Sequence, residues 1–152
     1  MRKSIPVIDV FAGPGGLGEG FTSYRNPKSQ NPFRIALAVE KDPLAHATLE
    51  LRSFYRQFRE TRVPDRYYRL LRGEIPREEL FNTHHEEARL AAREAWLAEL
   101  GATPLAEVRD RIHRSLVGRE PWILIGGPPG HRVCLTGRAL KEQGRRGVRS
   151  RE

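Results

Sequence analysis

The residues best suited to chemistry lie near the amino terminus, where an apolar run gives way to clustered glycines. The run contains Asp9, whose burial is unfavourable unless its carboxylate is hydrogen-bonded. This position favours a role in fixing the following loop or meeting a ligand amine. The glycines allow a tight turn and close approach of the backbone to a bound group. They are Gly13, Gly15, Gly16 and Gly18. The pattern of apolar run, glycine loop and helix predicts a site at the loop backbone and the helix amino terminus.

The spacing Gly13-x-Gly15-x-x-Gly18 also fits the dinucleotide-binding fingerprint. Glu40 ends the next apolar run, 22 residues after Gly18. An acidic residue at the end of a second strand is placed to accept hydrogen bonds from ribose hydroxyls. The residues alone leave two interpretations open, a nucleotide-type site and a tight strand-to-helix turn that holds no ligand.

Three apolar runs predict the strands that position these residues. They cover residues 5–10, 33–39 and 122–125, and their continuous apolar character is typical of a parallel sheet covered on both faces. Gly126-Gly-Pro-Pro129 leaves the third run. Because sites in open α/β sheets gather outside the carboxyl ends of strands, both glycine segments and Glu40 are predicted to share one edge.

Helical spacing fills the intervals between the runs. One helix is predicted from Leu17, and a second after Asp42-Pro43, which combines an N-cap with a first-turn proline. Thr83-x-x-Glu86 predicts a capping box and a helix that continues to a stop at Gly101. A last helix buries a stripe of Leu105, Val108, Ile112 and Leu116. The predicted fold class is α/β, a three-layer αβα arrangement with an incomplete sheet.

Three segments resemble motifs of the DNA cytosine-5 methyltransferases, in the family's order. Asp9-Val-Phe-Ala-Gly-Pro-Gly-Gly-Leu17 resembles the first motif, which binds S-adenosylmethionine. Val39-Glu-Lys-Asp42 is similar to the second motif, whose acidic residue holds the ribose. Ile125-Gly-Gly-Pro-Pro129 is similar to the fourth. The resemblance covers residues 5–60 and 121–129. It implies that the cofactor contacts are Asp9, Phe11, Ala12, Gly13, Gly15, Gly16, Leu17, Glu40 and Pro128.

The resemblance implies a Rossmann-like methyltransferase fold. It also implies transfer of a methyl group from S-adenosylmethionine to cytosine C5 in DNA, as in restriction-modification systems. The methyltransferase domain would span residues 1–137, with a helical insertion at about 60–118. Gly73-Glu-Ile75 is similar to the third motif, which contacts adenine, although an insertion without a ligand role is the alternative interpretation.

The chain departs from the family at the catalytic cysteine, which adds to cytosine C6 after the base is flipped out of the duplex. Its position is Gly130, and the chain's one cysteine is Cys134. Four extended residues span roughly 13 Å, too far for a simple replacement. The family's later catalytic and target-recognition motifs are not recognisable. The chain alone is therefore expected to be catalytically impaired or inactive, whether it is a fragment, a mutated gene product or a remnant. A second chain could supply the missing motifs.

Two further hypotheses remain. One is a non-catalytic module that binds S-adenosylmethionine or nucleic acid. The other is a nucleotide-dependent oxidoreductase, against which Asp9-x-Phe11 and the Pro-Pro loop both argue.

Composition points to a polyanionic partner, DNA or RNA, and the family resemblance implies DNA. The 152 residues carry a formal charge of +8. Residues 138–152 contain six Lys/Arg and two Glu, hence +4, and are predicted to form a disordered basic tail. A single cysteine and the lack of a signal-peptide or membrane-spanning apolar segment predict a cytoplasmic protein without membrane association. The His84-His85 cluster lacks the spacing of a metal site, and no metal is predicted.

Overall fold

The computed structural model describes residues 4–28, 30–58, 62–116, 118 and 121–127. Four parallel strands form one sheet in the order β3-β2-β1-β4, where β1 is Ile5–Val10, β2 is Phe33–Glu40, β3 is Ala95–Leu97 and β4 is Ile123–Gly126. This order places the first strand centrally, with the chain crossing to the other side after β3, as in doubly wound nucleotide-binding folds. Residues 128–152 lie outside the described residues. They include the predicted cofactor contact Pro128, the positions Gly130 and Cys134, and the predicted basic tail.

Helices connect the strands and cover the sheet. They are α1 (Gly16–Ser23), α2 (Pro43–Arg56), α3 (Asp65–Leu71), α4 (Arg77–Thr83), α5 (His85–Glu94) and α6 (Leu105–Ser115). The start of α2 follows the sequence expectation, because the Asp42 carboxylate accepts a hydrogen bond from the Ala45 amide at 2.8 Å and Pro43 occupies the first turn. This cap lies two residues after Glu40, the last residue of β2, and fixes the start of α2.

The sheet has an apolar cluster on each face, which makes the architecture three-layered. On one face Val7, Ile35 and Ala38 pack with Leu49 of α2. On the other, Ile8, Leu37 and Val39 pack against Ile112 and Leu116 of α6. A third cluster joins α2 to the helical segment before β3, and it contains Phe54, Tyr67, Ile75, Leu80 and Ala91. The predicted α/β class and the three layers are confirmed for the described residues.

The helix predicted to reach Gly101 is wrong in its second half. α5 ends at Glu94, and Ala95–Leu97 forms β3, which pairs with β2 through Ala38↔Ala95 and Glu40↔Leu97. Alanine and leucine favour a helix locally, but pairing with an already buried strand overrides that weak preference. The predicted capping box is also absent. The Thr83 hydroxyl donates to the carbonyl of Glu79 within α4, and α5 begins at His85.

The buried stripe predicted for the last helix is wrong at its first position. Leu105 is 72% exposed, whereas Ile112 and Leu116 pack on the sheet. The first turn of α6 therefore projects beyond the sheet, and only its later turns lie over β2. Among the residues that the structure describes, no helix combines the length and the apolar character needed to cross a membrane.

Candidate functional site

The glycine loop turns the chain from β1 into α1 through left-handed backbone conformations. Phe11, Gly13 and Gly15 have φ values of 58°, 57° and 92°. Gly15 is the residue before α1, and a Cβ there would lie 2.9 Å from Cδ1 of Leu49. Both the positive φ and the close approach of α2 therefore require glycine at this position. Phe11 is the non-glycine exception, and its backbone conformation leaves the aromatic ring 39% exposed beside the loop.

Glu40 connects the end of β2 to this loop. One carboxylate oxygen accepts the Gly13 amide at 2.7 Å, and the other accepts the amides of Lys41 and Asp42, each at 2.8 Å. The Ala12 amide also donates to the Val39 carbonyl at 3.0 Å. Three backbone donors thus orient one carboxylate at the carboxyl edge of the sheet. Since each oxygen has two lone pairs, the carboxylate keeps accepting capacity toward a bound hydroxyl.

A cavity of about 260 Å³ opens beside Glu40 at the carboxyl ends of the strands. Its walls come from the segments that follow all four strands, as expected for a site in an open parallel sheet. Within its lining, the Lys41 ammonium lies 3.1 Å from the Glu99 carboxylate. The lining residues are Phe11, Gly13, Val39, Glu40, Lys41, Ala98, Glu99, Leu100 and Gly127.

The structure brings together Phe11, Gly13 and Glu40, three of the predicted contacts, in this cavity. The other predicted residues of the first motif lie around the loop without lining the cavity. Ala12 and Gly15 are buried beneath it, while Gly16 and Leu17 are exposed at the start of α1. Asp9 is buried in β1.

Sequence reasoning missed the segment after β3, because it placed those residues on a helix. Ala98, Glu99 and Leu100 follow β3 at the sheet edge and line the cavity. Gly73-Glu-Ile75, considered as the adenine-contacting motif, lies elsewhere. Ile75 packs in the helical cluster with Phe54 and Leu80. The signal available in the sequence was the short apolar run before Glu99, which resembles the longer apolar run that ends at Glu40 in β2.

Gly126, the last residue of β4, and Gly127, which follows it, have different surroundings. Gly126 pairs with Val10, and a Cβ there would lie 2.5 Å from the Val10 carbonyl oxygen. A Cβ on Gly127 would meet nothing within 4 Å. The first glycine therefore permits close packing of β4 on β1, whereas the second only lines the cavity.

Replacing Gly126 by alanine is expected to lower the free energy of unfolding by about 2 kcal/mol, because backbone atoms cannot move aside as a flexible side chain can. Gly127→Ala is the matched control, with an expected change within about 0.5 kcal/mol. Chemical denaturation of both variants measures the difference. Equal losses in the two variants would contradict the packing role assigned to Gly126.

Asp9 is the buried carboxylate beneath the loop. It is 1% exposed, and neither oxygen has a hydrogen-bond partner among the described residues. Burial raises the pKa of Asp9 to about 6, and the nearby Gly18 amide and Arg56 charge only partly oppose this shift. Gly18 lies directly against it, since a Cβ there would be 3.4 Å from the carboxylate. Asp9 therefore faces the packing of β1 on α1, and it does not line the cavity.

Comparison with known proteins shows a similarity to a methyltransferase. The chain is 29% identical over 150 residues to the Type II methyltransferase M.Bpa9945I of Bacillus paralicheniformis, and the match covers 88% of this chain and 32% of the relative. The chain thus spans about a third of that protein's length. No family model matches the chain, and no solved structure matches it significantly. The similarity supports a relationship to methyltransferases.

Proposed function

We propose that this chain forms the S-adenosylmethionine-binding part of a DNA methyltransferase that acts on cytosine C5. The observation that carries the proposal is the Glu40 carboxylate, held by the Gly13 amide at a cavity on the carboxyl edge of the sheet. Residues 9–17, 39–42 and 125–129 resemble the family's motifs. This resemblance is the support for cytosine as the target base and for methyl transfer to its C5 atom. The relationship to a Type II methyltransferase supports methyl transfer in general.

The cavity suits the parts of this cofactor. Phe11, Val39 and Leu100 offer apolar surface for a purine, and Glu40 offers an acceptor for ribose hydroxyls. Glu40 and Glu99 bring two carboxylates against the single ammonium of Lys41, so the lining favours a cationic ligand. When bound, S-adenosylmethionine would supply a methyl group activated by a positively charged sulfur.

The same charges disfavour a dinucleotide, whose pyrophosphate carries negative charge. In dinucleotide sites the loop amides and the helix amino terminus bind that group. Here the Gly13 amide already donates to Glu40, and Lys41 pairs with Glu99. Both of these donors are therefore engaged within the chain, which weakens the oxidoreductase hypothesis.

Catalysis by the chain alone is not part of the proposal. The family's nucleophile position is Gly130, and glycine has no group that can add to cytosine C6. The function proposed for the isolated chain is cofactor binding, with methyl transfer impaired or lost. The second candidate function is a non-catalytic module that binds S-adenosylmethionine or nucleic acid. Glycine at position 130 also favours this candidate.

Calorimetric titration of the full chain with S-adenosylmethionine, and separately with NAD, tests the proposal. We expect saturable binding of S-adenosylmethionine and at least tenfold weaker binding of NAD, a difference of about 1.4 kcal/mol. Circular dichroism beforehand establishes that the chain is folded. Preference for NAD, or a folded chain that binds neither ligand, would overturn the proposal. Incubation with duplex DNA and the methyl-labelled cofactor is expected to give no transfer.

A further inference from the structure

Four arginines surround a second concavity near the amino-terminal end of β2, away from the cavity beside Glu40. Its volume is about 350 Å³, and the guanidinium groups come from β2, α5 and α6. They belong to Arg34, Arg93, Arg111 and Arg114, and we call them the arginine cluster. Arg34 is the second residue of β2 and Glu40 is its last, so six residues at about 3.3 Å each place the Cα atom of Arg34 about 20 Å from that of Glu40.

Three of the four guanidinium groups in the cluster have no carboxylate partner among the described residues. Arg34 and Arg93 form no hydrogen bond or ion pair in the part of the chain that the structure describes. Arg111 donates to the carbonyls of Ala92 and Arg93 at 3.4 Å and 3.3 Å, and its guanidinium lies 5.6 Å from the centre of the Trp96 ring. These partners are uncharged, so they orient Arg111 and leave its charge in place.

The carboxylates nearby are already engaged. Glu94 lines the same concavity but pairs with Arg56, which also pairs with Glu19. Asp110 pairs with Arg114 one turn along α6. Four arginines and Glu94 on the lining, together with Asp110 paired to Arg114, give a side-chain charge of +2. Gathering like charges in a concavity is unfavourable unless an anion neutralises them.

We propose that the arginine cluster binds phosphates of a nucleic-acid backbone, as an auxiliary surface separate from the cavity beside Glu40. Arginine suits this role, because its planar guanidinium donates two parallel hydrogen bonds to a phosphate. The concavity has no exposed aromatic ring on which a base would stack, so the expected recognition is of phosphates and not of base sequence. The inference does not rest on cofactor binding.

The test measures binding of a fluorescent 20-base-pair duplex to the full chain between 50 and 200 mM salt. Each phosphate neutralised contributes about 0.9 to the slope of log affinity against log salt. Arg34→Gln/Arg93→Gln is expected to reduce that slope by roughly 2 and to weaken binding roughly tenfold or more at 50 mM salt. Arg62→Gln/Arg109→Gln removes the same charge from exposed positions that do not line the concavity, and should change the slope by less than about 0.5.

Equal effects of the two double variants would overturn the proposal, since binding would then follow total charge. No effect of either variant would place DNA binding elsewhere. Polyglutamate and inorganic phosphate replace the duplex in parallel titrations. Equally tight binding of polyglutamate, or saturable binding of inorganic phosphate without binding of the duplex, would assign the cluster to another anion. Calorimetry with S-adenosylmethionine on the same variants should be unchanged, which separates this inference from the proposed function.

Discussion

Glu40→Ala is expected to lower the affinity for S-adenosylmethionine by at least about 100-fold. A hydrogen bond to a charged group contributes about 1.5–3 kcal/mol, and the carboxylate is proposed to bind ribose while it holds the loop. In the structure it accepts the amides of Gly13, Lys41 and Asp42. Alanine removes the ligand acceptor and releases the loop in one step. Calorimetric titration of wild type and variant measures the loss.

Glu40→Gln separates the two roles of this carboxylate. All three described partners are donors, so a glutamine amide nitrogen must oppose one of them. With its oxygen toward Lys41 and Asp42, its nitrogen would face the Gly13 amide and free the loop. We expect roughly a tenfold loss of affinity, between wild type and alanine.

Glu78→Ala is the matched control for both variants of Glu40. Glu78 is exposed in the first turn of α4, does not line the cavity and forms no hydrogen bond or ion pair within the described ranges. Its affinity for S-adenosylmethionine should equal that of wild type. Wild-type affinity in a folded Glu40→Ala variant would refute the assignment of Glu40 to the ribose.

Asp9→Asn is expected to stabilise the fold at pH 7.5 and to lose this advantage in acid. The pKa of Asp9 is raised to about 6 in the folded chain, from an ordinary value of 3.8. The folded state therefore disfavours the charged form of Asp9. The loss of folding free energy caused by this charge reaches its full value above the folded-state pKa of about 6. It disappears as the pH falls from about 6 toward 4, because the folded state takes up the proton first. A shift of about two units corresponds to roughly 3 kcal/mol.

Denaturant unfolding of wild type and Asp9→Asn at pH 7.5, 6 and 4.5 measures this dependence. The difference between the two proteins should shrink by roughly 2–3 kcal/mol across the series. Asp65→Asn serves as the control, because Asp65 is exposed at the start of α3 and its variant should show no comparable trend. A constant difference between wild type and Asp9→Asn would show that Asp9 does not titrate in this range.

The candidate site was predictable where its signals were local. The loop glycines and the Asp42-Pro43 cap are short-range features, and the two apolar runs around them needed only their own residues. Glu40 could be connected to the loop because the βαβ unit places both at one edge. Glu99, which follows β3, was not predicted as a site residue. A three-residue strand is defined by its pairing with β2 more than by its composition.

The amino-acid sequence was enough to predict the two central strands, the glycine turn, the helix that follows Glu40 and the positive charge of the chain. These follow from residue type and short spacing. Tertiary packing was needed to show that Ala95–Leu97 is a strand and that Gly126 is the glycine in close contact with Val10. It was also needed to show that Asp9 is buried beneath α1 with no hydrogen-bond partner among the described residues. It also gathered Arg34, Arg93 and two arginines of α6 in one concavity. Such features depend on register and on packing between segments far apart in the chain, which no local pattern encodes.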